Sequence, residues 1–157
     1  MTTRSHDIAE RLRQVLLEGR WIANTNMQEQ IRDLDWELAR KSVHHLNSIA
    51  LLTFHLNYYL AGLIHVFKGG GLDIRDKYSF DMPPIEKASD WEALRASFLH
   101  NAAEFIHHVE QMDDAVLDGP FVDEKYGTYL RNIEGVIEHS YYHFGQIVII
   151  KKMLTEQ

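Results

Sequence analysis

Between Thr128 and Leu154 apolar residues recur at helical spacing but spread far wider than a single stripe. Leu130, Ile133, Ile137, Phe144 and Val148 fill one sector of a helical wheel, and Val136, Ile147 and Ile150 extend it past half the circumference. Such a helix has no polar face broad enough to lie on a surface. It predicts a central position, with other helices packed around it.

Three more segments supply those partners. His6 to Gly19 places Ile8, Leu12, Val15 and Leu16 at helical spacing, and Trp21–Asn26 reads as a bend because its two asparagines favour turns. Asp35 is an N-cap candidate for a helical pattern running through Lys68, with a break near His44 to Asn47. Gly69-Gly70-Gly71 ends it, since three glycines do not sustain a helix. Ser89 or Asp90 is expected to cap a further helix through Met112, with Leu94, Phe98, Ala102, Phe105 and Val109 on one face. Two connections remain. Residues 72 to 88 hold Pro83-Pro84 and alternate charges with large apolar groups, so a loop folded back on the domain is expected; residues 113 to 127 hold Asp118-Gly119-Pro120. With four helices, two long connections and no convincing strand, the expected fold is an all-α bundle in one domain over residues 1–157.

Composition narrows the function. A hydrophobic fraction of 45% argues for a packed globule, and a formal charge of −7 with no basic run argues against binding a nucleic-acid backbone. The longest apolar segment, Ile49 to Phe67, is interrupted by His55, Asn57 and His65, which suits a core helix and not a membrane span. The chain begins without an apolar leader, and with no cysteine it needs no oxidising compartment, so a soluble cytoplasmic protein is expected. Zero cysteines also exclude thiolate ligands and a cysteine nucleophile.

The chemistry rests on histidine. His139 and His143 stand four apart, so on a helix both rings reach one point in space and can share a metal ion. In a chain with ten histidines, on the order of one such pair arises by chance. His55, inside the apolar margin of its own helix, is a third candidate, and three histidines from two helices would leave coordination positions open. The alternative is equally physical: core histidines hydrogen-bonded to Tyr59, Tyr78 or a backbone carbonyl, in a non-catalytic binding or interaction protein. Other patterns fail. Ser140 stands where a helical metalloprotease needs glutamate, and Glu104-x-x-His107 is one di-iron motif where two are required and faces outward. His44 and His45 would lie about 15 Å along a helix from His55, too far to join it. His100 and His107 read as solvated surface, with His108 at the core margin.

Two stretches, Leu46-Asn47-Ser48-Ile49-Ala50-Leu51-Leu52-Thr53-Phe54-His55-Leu56 and Glu138-His139-Ser140-Tyr141-Tyr142-His143-Phe144-Gly145-Gln146-Ile147, resemble the DinB-like (DinB/YfiT-like) superfamily of metalloenzymes. The resemblance implies an up-and-down four-helix bundle with a long second connection and a metal triad of His55, His139 and His143; the divalent ion expected there is zinc or nickel. Activities among relatives scatter. Some are thiol-dependent S-transferases or isomerases and others metal-dependent hydrolases, so the resemblance implies an enzyme that activates water or an external low-molecular-weight thiol toward a small-molecule substrate. Tyr59, Asp73, Arg75 and Tyr78 are candidates to position that substrate. The resemblance also suggests a homodimer. Trp21, Ile22 and Met27, out of phase with the first helix, and Tyr141-Tyr142, which cannot both point inward, are the apolar residues left for its interface.

Overall fold

The structure, a computed structural model, describes residues 3–156. Among the described residues it is all-helical: seven α-helices, two 3₁₀ turns and one isolated β-bridge between Pro120 and Thr128. Four helices are long: α1 (Arg4–Leu16), α4 (Ile49–Phe67), α5 (Ala88–Glu110) and α7 (Tyr129–Thr155). They contact one another in a closed ring, α4 with α5, α5 with α1, α1 with α7 and α7 with α4. The core runs through the middle, where Leu12, Leu16, Leu52, Phe98, Phe105, Ile133 and Ile147 are almost wholly buried.

Short helices fill the gaps. Asn26 accepts a hydrogen bond from Glu29 N and so starts α2 (Met27–Ile31), which turns Met27 and Ile31 into the core. Met27 is therefore not an interface residue. It fell out of phase with α1 because it belongs to a different helix. Asp35 caps α3 (Trp36–Arg40) as expected, its carboxylate accepting from Glu37 N at 2.8 Å. The break expected near His44 to Asn47 is present and wider: residues 41–48 leave the helix altogether, His44 is left-handed at φ 51°, and Ser48 restarts α4 by accepting from Leu51 N. Asp114–Asp118 forms α6 inside the second connection, and Thr128 caps α7 by accepting from Arg131 N.

One helix start and one stop follow from local chemistry. Asp90 does not cap α5. It sits in the first turn and reaches back, its carboxylate accepting from Glu86 N and Lys87 N, so the helix starts earlier, at Ala88. At the end of α4 the amide of Gly70 bonds His65 O and that of Gly69 bonds Val66 O, with Gly69 at φ 92°. That pairing requires a left-handed residue after the last turn, which glycine adopts without Cβ strain. Helix α4 is long and apolar enough to cross a membrane on composition, yet more than half of that window is buried, as in a core helix.

The 72–88 loop packs back across α4. Tyr58 Oη donates to Arg75 O at 3.1 Å and accepts from Arg75 N at 2.8 Å, while Ile85 is buried. Gly62, in mid-helix, makes the close approach possible, since a Cβ there would lie 2.1 Å from Ile74 Cγ2.

Candidate metal centre

His55 projects from α4, and His139 and His143 from successive turns of α7. One nitrogen from each ring lies within 4.8 Å of the others, and this is the one such cluster of three His, Cys, Asp or Glu groups among the described residues. His55 Nε2 and His139 Nε2 are 3.0 Å apart. The ring centroids sit 4.6–4.9 Å from one another, nearly perpendicular in each pair.

What lies behind the rings fixes their tautomers. His55 Nδ1 faces Ser79 O at 3.2 Å, and a carbonyl can only accept, so Nδ1 carries the proton. His143 Nδ1 faces Gln146 Oε1 at 2.7 Å and donates in the same way. Both neutral rings therefore keep a bare Nε2 lone pair, and that of His55 faces His139. A ligating histidine is ordinarily held like this, its far nitrogen donating to an oxygen.

The surroundings disfavour charge on the rings. Burial, and then the neighbouring His143 and His55, pull the His139 imidazole down to about 4. Burial and His143 lower His55, against an opposing contribution from the Ser79 hydrogen bond; burial lowers His143, opposed by Gln146. Neutral imidazole is the form that binds metal. Aromatic walls complete the enclosure, with Phe80 stacked on His55 at 4.0 Å and Tyr59 edge-on to both His55 and His139. Tyr59 Oη donates to Asp76 Oδ1 at 2.7 Å, and burial together with that bond pushes the phenol up to about 12, so it remains a donor.

A cleft of about 810 Å³ opens beside His139. Of the four residues expected to position substrate, Tyr59 and Arg75 line it. Asp73 stands apart, paired with His65 at 3.4 Å on the rim of a different groove, and Tyr78 is partly exposed beneath Lys77. Sequence reasoning missed Ser79, Phe80, Asp76 and Gln146. Of these only Gln146 had a signal: it lies three residues after His143, on the same helix face. The loop residues reach His55 by a path that periodicity does not encode.

The sequence model of the DinB superfamily matches residues 25–147, which span α2 to most of α7 and include all three histidines. The same comparison with curated proteins and with solved structures returns no match.

Proposed function

The chain belongs to the DinB superfamily, and on that premise we propose that it is a metal-dependent enzyme holding one divalent ion, zinc or nickel, through His55, His139 and His143. The observation that carries this reading is the pair of oriented tautomers: Ser79 O and Gln146 Oε1 take the Nδ1 protons and leave the two Nε2 lone pairs bare, that of His55 facing His139. Three neutral nitrogen donors suit a first-row divalent ion and leave positions free for reactants. Such an ion would supply Lewis acidity that activates water, for hydrolysis, or an external low-molecular-weight thiol, for S-transfer. With no cysteine in the chain, sulfur chemistry needs that external thiol.

The protein's own groups have separate tasks. Phe80 and Tyr59 limit water at the imidazoles, and Tyr59, its hydroxyl proton given to Asp76, offers an acceptor oxygen at the cleft wall. Elemental analysis of the purified protein tests the first step. Close to one metal per chain is expected, and unchanged metal content and stability in both His139→Ala and His143→Ala would dispose of the site. A panel of electrophiles assayed with and without thiols then separates transfer, which is strictly thiol-dependent, from hydrolysis.

The competing reading is a non-catalytic binding protein with core histidines. One contact favours it: the 3.0 Å approach of His55 Nε2 and His139 Nε2 can be an ordinary hydrogen bond between two imidazoles. It prevails if metal-loaded protein binds small ligands and turns none over.

The ring of contacts among α1, α4, α5 and α7 supports an up-and-down four-helix bundle. The homodimer is part of the same proposal, now with a specific face. Tyr142, Ile149 and Met153 form an exposed stripe along α7, with Leu46 exposed beside the groove that Ile149 lines. Trp21 and Ile22 are exposed too, on the segment before α2. Light scattering should give twice the 18.3 kDa chain mass, and a monomer at low and high salt would end this assignment.

A further inference from the structure

The cleft beside His139 is apolar over much of its wall, with Leu63, Leu72, Ile74, Phe121 and Val136 among its lining residues. Its charges are uneven. Arg75, Lys125 and Arg131 line it against a single carboxylate, Asp76, whose Oδ1 is engaged by Tyr59. In a chain of formal charge −7 that balance is inverted locally. Two of the cations already have partners outside the cleft: Lys125 lies 3.5 Å from Asp123, and Arg131 lies 3.2 Å from Glu138. Arg75 differs. Among the described residues no carboxylate oxygen comes within 4.0 Å of its guanidinium nitrogens, and its hydrogen bonds all run through its backbone, to Tyr58 Oη and from Tyr78 N. The backbone is thus pinned while the side chain stays free.

Position gives the free guanidinium its meaning. Asp76, the next residue, is one hydrogen bond from Tyr59, and the Tyr59 ring lies 5.3 Å from that of His139. A ligand anchored at Arg75 therefore lies along Tyr59 toward the histidine cluster, its body against the apolar wall. We propose that the cleft takes an organic anion, a carboxylate on an apolar or aromatic body, with Arg75 binding the carboxylate and the reacting end directed to His139. A guanidinium matches a carboxylate through paired N–H donors, which a neutral or cationic head group cannot use. This substrate class rests on the function proposed above, but its selectivity arises from Arg75 and not from the histidines.

Three probes with one apolar body test it: 4-phenylbutyrate, 4-phenylbutanol and 4-phenylbutylamine, titrated calorimetrically into full-length protein as purified and after chelation. The carboxylate should bind about tenfold more tightly than the alcohol in both preparations, and the amine least tightly, as expected for a charge-assisted pair. Arg75→Gln should bring acid and alcohol within twofold, and Arg75→Glu should reverse the order in favour of the amine. The Arg75 side chain is exposed and bonds nothing in the fold, so these variants should melt as the wild type does. His139→Ala should keep the preference while losing metal, which separates failure of this proposal from failure of the metal site. Equal binding of acid and alcohol, no binding of any probe at millimolar concentration, a preference that survives Arg75→Gln, or one confined to metal-loaded protein would each overturn the assignment.

Discussion

Two histidine groups invite comparison, His55–His139–His143 between α4 and α7, and His100–His107–His108 along α5. The inner group converges within 4.8 Å, with His55 and His143 buried and their far nitrogens on neutral oxygens. The outer group disperses. His100 and His107 are exposed, and His100 and His108 look to one carboxylate, Glu104, at 3.6 and 3.8 Å. Glu104 in turn pairs with Lys68, which with the nearby histidines holds its carboxyl below the usual range. Residue type and helical spacing are shared by both groups. What separates them is that His55 and His143 are oriented by oxygens behind them, whereas His100 and His108 share one negative charge with a lysine and His107 faces solvent.

The most severe way to break that comparison is substitution within each group. His139→Ala should reduce metal from about one ion per chain to near zero by elemental analysis, while His107→Ala leaves it unchanged; equal losses would mean that the metal does not distinguish them. Gln146→Leu removes an orienting oxygen but no ligand and should weaken metal affinity about 10- to 100-fold by competition with a chelating dye. Glu104→Gln on the outer group should have no such effect. Gly62→Ala addresses the loop that brings Ser79 to His55. The new methyl group collides with Ile74, so urea unfolding should show a loss of about 2 kcal/mol.

Acid gives a gentler test. In metal-free protein the folded His139 titrates near 4, against 6.5 for an unperturbed histidine. The unfolded chain therefore binds the proton first, and stability is lost as pH falls from about 6.5 toward 4, then levels off. A melting temperature that rose on acidification through that window would contradict the buried neutral ring, and His139→Leu should flatten the decline. The smallest expected effect is Gly145→Ala, at an open helical position of α7 where a Cβ meets nothing within 4 Å. It should stabilise by roughly 0.5–1 kcal/mol in thermal unfolding.

The sequence was most legible where signals are local. Thr128, Asp35 and the three glycines marked helix limits through their own hydrogen bonding; the wide arc of α7 marked a core helix but overstated its place, since α7 forms one side of the ring and leaves Tyr142, Ile149 and Met153 exposed. It was least legible where one local signal could be read in two ways. Asp90 looks like an N-cap but acts from the first turn, and the break near His44 to Asn47 extends over 41–48 because the new start falls at Ser48. At the candidate site, spacing and resemblance pointed to the three rings. The groups that orient and enclose His55 come from 24 and 25 residues downstream, Ser79 and Phe80, and no periodic pattern connects a loop to the helix it crosses.

That loop contact has a thermodynamic consequence. Since Ser79 O and the Phe80 ring meet the same imidazole that faces the cluster, opening of the 76–80 segment and the orientation of His55 are not independent equilibria. Linkage is reciprocal: whatever locks the imidazole must make open states of the loop rarer by the same free energy with which the closed loop favours the locked ring. Hydrogen exchange at the amides of residues 76–80 should therefore report occupancy at a centre to which none of those amides belongs.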